Sequence, residues 1–94
     1  MKIVLTEHAK ERLRERDVSI EEVMGIIDSP RRKFYDLRSG HFVVIGRRNI
    51  PEHWLIVVHD RRDNIVEVIT VIDTSKSLDK IIERRLSSRR WVEL

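Results

Sequence analysis

Two changes of hydrophobic period constrain this chain more than any other feature of it. Apolar residues recur at helical spacing from Leu5 to Ile27, alternate with a period of two across residues 33–73, and return to helical spacing from Ser77 onward. Side chains share a face every three or four residues on a helix and every second residue on a strand. The chain therefore reads as helices, then strands, then a helix. Near its middle the run WLIVVHD, residues 54–60, is apolar on both alternating sets. Such a run needs cover on both faces and marks a central strand.

Thr6 is placed to cap a first helix that ends near Arg16, with Leu5, Ala9 and Leu13 as its apolar stripe. Ser19 and Glu22 form a capping box for a second helix carrying Ile20, Val23, Met24 and Ile27, and Ser29-Pro30 stops it. Only Asp17 and Val18 lie between, so the two helices form a compact hairpin. Residues 2–5 are apolar and suit a small strand. Residues 33–38, 41–48, 54–60 and 65–73 read as four strands, with Ser39-Gly40 as a two-residue turn and residues 61–64 as another. Connections this short favour an antiparallel meander. Leu78, Ile81, Ile82 and Leu86 then form a stripe opposite Lys80, Arg84 and Arg85, and Trp91 and Val92 read as an anchor onto the body. The expectation is one α+β domain over residues 1–94: two N-terminal helices, a four-stranded antiparallel meander sheet and a C-terminal helix, with residues 76–94 a basic helical tail.

Composition narrows the chemistry. The absence of cysteine among 94 residues excludes a disulfide framework, a thiol nucleophile and a cysteine-ligated metal. No H-x-x-x-H or H-E-x-x-H spacing occurs, and Gly25, Gly40 and Gly46 are too scattered for a phosphate loop. Neither a metal nor a cofactor is expected. The apolar runs are far too short for a bilayer span, and the first residues turn polar too soon for a secretory leader, so no membrane association and a cytoplasmic location are expected. Enrichment in Glu, Lys and Arg without any glutamine resembles a thermophile composition. Residues 1–75 balance in charge, and the whole formal net charge of +3 lies in the tail. That balance permits nucleic-acid binding without demanding it.

His8, Arg12 and Arg16 stand four residues apart and so share one face of the first helix. Histidine titrates near neutrality, and arginine presents a planar fork that matches phosphate oxygens. Metal-independent RNA cleavage needs an acid or base for the 2′- and 5′-oxygens and cations for the charge developing on phosphorus. A competing reading makes Arg12 and Arg16 partners of Glu15 and Glu11 in a surface ion network. His41, His53 and His59 add further candidates, with His59-Asp60 a potential acid/base pair at the sheet edge. In the tail, Arg89, Arg90 and Trp91 read either as a phosphate clamp with a stacking ring or as a solvated, anchored end.

The pattern H-A-x-x-R-x-x-x-R-x-[VI]-S-x-E-E-V, with a closing proline, G-x-x-V-V-x-G-R, W-L-x-V-V and V-I-T-V, resembles the small prokaryotic domain-of-unknown-function family four-two-five-eight. That resemblance, from His8 to about Val71, implies kinship with RelE- and BrnT-type toxins, compact RNA-cleaving domains. It assigns His8, Arg12 and Arg16 to the polar positions of the first helix, Gly46 and Arg47 to the second strand, and Thr70 to a hydroxyl position in the last. Asp17 departs from a usual glycine, and Ile72 from a common aromatic.

The leading expectation is a metal-independent endoribonuclease, the toxin half of a toxin–antitoxin pair. His8 would be the acid/base group, Arg12, Arg16 and Arg47 electrostatic clamps, and Thr70 an orienting hydroxyl. Arg48, Arg89, Arg90 and Trp91 are the further RNA contacts. The alternative is a catalytically silent RNA-binding or protein-interaction module on the same scaffold. A third reading is homodimerisation through Trp54 or Trp91.

Overall fold

The computed structural model describes residues 2–94 and has an α+β architecture, with three helices on a six-stranded mixed sheet. In chain order the elements are β1 (Lys2–Leu5), α1 (Glu7–Glu15), α2 (Ile20–Asp28), β2 (Arg32–Asp36), β3 (His41–Arg47), β4 (Trp54–Arg62), β5 (Ile65–Thr74), α3 (Leu78–Ser87) and β6 (Trp91–Glu93). The strands lie in the order β1-β5-β4-β3-β2-β6. The expected antiparallel meander forms the inner four strands, but the expectation of a four-stranded sheet is corrected at both edges. β1 pairs parallel to β5, with Ile3 opposite Val66. β6 pairs antiparallel to β2, with Trp91 opposite Asp36. Residues 2–5 join the sheet as the expected small strand, whereas the expected helical tail over 76–94 is corrected, since residues 91–93 form a strand; the exposed backbone of the meander's edges takes up both.

Thr6 caps α1 by accepting the Ala9 N–H at 3.0 Å, and Ser19 caps α2 by accepting the Glu22 N–H at 3.1 Å. α1 ends in a left-handed residue. Val18 N–H reaches Leu13 O at 2.9 Å, Asp17 N–H reaches Arg14 O at 3.3 Å, and Asp17 has a φ of 52°. This is a Schellman closure, completed by the buried contact layer that Val18 and Leu13 share. Asp17 thus takes the backbone role that glycine would fill. α3 ends the same way through Arg89, at a φ of 57°, which turns the chain into β6.

The β2–β3 turn is longer than the two residues expected. The β2 strand ends at Asp36, whose carboxylate accepts the N–H groups of Arg38 and Ser39 and so folds residues 37–40 into a four-residue loop. The sheet is covered on both faces. α1 and α2 pack Ala9, Leu13, Val23, Ile26 and Ile27 onto Val44, Leu55, Val57, Val66, Val68 and Val71. On the other face α3 packs Leu78 and Ile82 onto Phe34, Val43, Ile45, Ile56 and Trp91. β4 supplies both layers, as its continuous apolar run requires. Gly46 lets α2 come close, since a Cβ there would stand 2.7 Å from Ile26 Cγ1. No helix among the described residues is long and apolar enough to cross a membrane.

Candidate functional site

The five residues expected to form a catalytic centre do not converge. His8 on α1 and Arg16 at its C-cap are exposed, while Arg12 is half-buried with Nη1 3.9 Å from Glu15. These three lie on the α1/α2 side of the sheet. Arg47 sits directly opposite Trp54, which packs into the α3 layer, and its guanidinium lies 5.2 Å from the indole centroid. Thr70 sits opposite Val58, also of the α3 layer. Register partners share a face of the sheet, so Arg47 and Thr70 are across the sheet from the first helix. A bulge sends Thr70 there. Val58 pairs with Thr70 but His59 with Val68, leaving Ile69 as an extra residue. Val68 and Val71, three residues apart, consequently face the same layer. Thr6 holds this bulge, its hydroxyl donating to Ile69 O at 2.8 Å.

Arg48, expected to meet RNA, is instead 8% exposed and closes the helical hairpin onto the sheet. Its guanidinium donates to Glu22 (Nε to Oε2, 3.0 Å), to Asp73 Oδ2 (2.9 Å) and to the Asp17 carbonyl (2.9 Å). Asp73 Oδ1 lies 2.8 Å from His53 Nδ1, extending the network to a half-exposed imidazole. Burial pushes the Asp73 carboxyl up, and the hydrogen bond from His53 and the charge of Arg48 outweigh it, leaving the group below its ordinary value. Glu22, the second member of the expected capping box, spends its carboxylate on Arg48.

The tail divides similarly. Arg90 Nε donates to both Asp36 oxygens at 2.9 and 3.0 Å, and the buried Trp91 indole N–H donates to Asp36 Oδ2 at 3.3 Å. Phe34 packs on Trp91 with ring centroids 5.0 Å apart. Trp91 therefore anchors β6 and has no face for a base, because the hydrophobic layer and Asp36 already engage it. Arg89 alone of the three stays exposed, beside Arg38 and Arg85.

The feature that does gather chemistry is a groove of about 540 Å³ on the α1/α2 side, past the C-terminal end of α2. Asp28 and Pro30 wall it, and Lys33, Phe42, His59 and Arg61 form its floor. Tyr35, Phe42 and His59 stand in register on β2, β3 and β4 and form one aromatic row. Tyr35 meets Phe42 edge-on at 5.3 Å, and Phe42 stacks on His59 at 5.6 Å with 19° between planes. His59 is only 3% exposed, and its Nδ1 is buried without a hydrogen-bond partner among the described residues. Burial pushes the His59 pKa down against a backbone hydrogen bond at Asp60, and the Arg61 charge acts with burial. The ring is thus neutral near pH 7 and keeps an unsatisfied nitrogen, which costs about 1–3 kcal/mol unless a ligand group meets it. The His59-Asp60 pairing expected from sequence does not form, since neighbours on a strand point to opposite faces. Asp60 binds His41 instead, Oδ1 to Nδ1 at 2.6 Å. Tyr35, Phe42 and Lys33 escaped the sequence reading because their alignment depends on strand register. No group of three or more metal-ligating side chains occurs among the described residues.

Residues 5–73 match the family described as Domain of unknown function (DUF4258). No curated protein and no solved structure matches the chain.

Proposed function

The chain belongs to the DUF4258 family, and from its geometry we propose that it is an RNA-directed domain that holds single-stranded RNA in the groove floored by Phe42 and His59. The observation that carries this reading is the in-register row Tyr35–Phe42–His59 with Lys33 and Arg61 beside it. Aromatic rings on adjacent strands stack unpaired bases, while flanking cations hold the sugar-phosphate backbone. Stacking on one ring is worth about 1–3 kcal/mol, so Phe42→Leu weakens RNA binding by roughly 5- to 150-fold. Binding of a mixed-sequence single-stranded RNA, measured by fluorescence anisotropy across a salt series, tests it. Affinity unchanged in folded Phe42→Leu and Lys33→Ala variants sinks the proposal.

Metal-independent endoribonuclease action, as in a RelE/BrnT-like toxin held by a protein antitoxin, is the second reading, and His59 favours it. A neutral imidazole accepts the 2′-hydroxyl proton, and that oxygen attacks phosphorus to give a 2′,3′-cyclic phosphate as the P–O5′ bond breaks. The imidazolium returns the proton to the departing 5′-oxygen, while Lys33 and Arg61 offset the charge gained by the phosphoryl oxygens. This places the acid/base role on His59 in preference to His8. Incubation of long RNA with the protein in EDTA separates the readings. Cleavage that persists in His8→Ala and disappears in His59→Leu supports a nuclease, whereas intact RNA with salt-sensitive binding supports the silent module.

A further inference from the structure

A second cavity of about 560 Å³ opens on the opposite face, between the start of α3 and the ends of β3 and β4. Trp54 and Ile82 give it an apolar wall, and Arg31, Arg47 and Lys76 line its mouth. The Arg47 and Arg31 guanidinium carbons lie 5.2 and 6.0 Å from the Trp54 ring centroid. Arg12, Arg32, Arg48 and Arg90 hold carboxylates, whereas Arg31 and Arg47 lie against the Trp54 ring. Arg31 and Arg47 therefore spend their charge on the indole face and keep their N–H donors for another group. The acidic side chains on the lining are Glu52 and Asp79. Arg32, also on the lining, already holds Glu93 through two bonds of 2.8 Å and feels the charge of Asp79 as well.

We infer that this cleft binds a nucleoside monophosphate, either free or as the 5′-phosphorylated end of an RNA strand. Two guanidinium forks and an ammonium match the three terminal oxygens of a phosphate monoester. The edge of Trp54 and the apolar wall accept a planar base, and the volume falls within the roughly 300–1,000 Å³ range of small-molecule sites. The inference is independent of the groove across the sheet, because none of its ligands is shared with Phe42, His59 or Lys33. Cation–aromatic contacts hold the two forks in place before a ligand arrives, which lowers the ordering cost of binding.

Tryptophan fluorescence reads the site directly. The chain has two tryptophans, and Trp91 is buried against Asp36, so a ligand in the cleft changes Trp54 emission. Titration with adenosine monophosphate should saturate, adenosine should bind at least about tenfold more weakly, and Arg31→Ala and Arg47→Ala should each weaken the nucleotide by about tenfold or more. Arg14→Ala, an exposed charge on α1, controls for net charge. Oligonucleotides with and without a 5′-phosphate distinguish the sources: preference for the phosphorylated strand over the free nucleotide identifies an RNA end, and the reverse identifies a small nucleotide. Three results overturn the inference: no saturable change with either ligand, equal affinity for adenosine and its monophosphate, or loss in Arg14→Ala matching that in Arg47→Ala.

Discussion

Arg48→Ala tests whether the helical hairpin is fastened to the sheet through one guanidinium. The side chain is 3% exposed and holds Glu22, Asp73 and the carbonyl that ends α1. Its removal leaves Glu22 and Asp73 Oδ2 without the guanidinium that they share, and the Asp17 carbonyl without its donor. Breaking a buried pair costs about 3–5 kcal/mol. Glu22 and Asp73 are 21% and 14% exposed, so water reaches them in part and the cost falls at the low end, about 3 kcal/mol. Against a total stability of about 5–15 kcal/mol this is severe. It corresponds to a fall in Tm of roughly 12–24 °C for a domain of this size. Arg48→Lys keeps the charge and loses the fork, so its cost is intermediate, about 1–2 kcal/mol. Urea unfolding at pH 7 followed by circular dichroism measures both, and an unchanged m-value attributes the shift to stability. A loss under about 1 kcal/mol for Arg48→Ala refutes the reasoning, because the carboxylates would then be re-solvated without penalty.

Asp17→Gly should stabilise the protein by about 1 kcal/mol, since glycine accepts the left-handed conformation without a Cβ clash and removes an anion from a helix C-terminus; thermal unfolding reads it as a raised Tm. Gly46→Ala should destabilise by about 1–3 kcal/mol through its clash with Ile26, measurable in the same melt. For Asp36, burial raises the carboxyl, but Arg90 and the Ser39 and Arg38 N–H groups bring it down to about 2 from 3.8. Its folded value is depressed, so its contribution of about 2 kcal/mol is present above pH 3.8 and lost as pH falls through about 2; Arg90→Ala should flatten that acid limb in urea titrations. His59 also has a depressed folded pKa, so the unfolded chain takes up the proton first and stability falls as pH drops below 6.5. His59→Phe removes that slope, and an identical slope in the variant counts against the burial argument.

The helix caps at Thr6 and Ser19, the inner four strands and the two-faced β4 were all legible, because each rests on residues within a few positions of one another. The Schellman closures at Asp17 and Arg89 were not, since the glycine that signals them is absent. The candidate site was legible only in part. The spacing of His8, Arg12 and Arg16 correctly placed the first two on one helix, with Arg16 at its C-cap, yet spacing cannot say which face of a sheet lies beneath. Arg47 and Arg48 illustrate the limit: adjacent in sequence and alike in chemistry, one lines an open cleft and the other is buried in an ion network, because a strand turns successive side chains to opposite faces.

What the sequence by itself determined is the local periodic order: helix, helix, four strands, helix, with the residues that cap and stop them. Tertiary structure alone decided where the small strand at residues 2–5 pairs, that residues 91–93 form an edge strand, the bulge at Ile69, the face on which each polar residue emerges and the alignment of Tyr35 with Phe42 and His59. Local patterns are set by contacts a few residues apart, whereas register and layer order depend on pairings between segments up to 63 residues apart, as between Thr6 and Ile69. A shift of one residue in such a pairing exchanges the two faces of a strand and rebuilds every site on it.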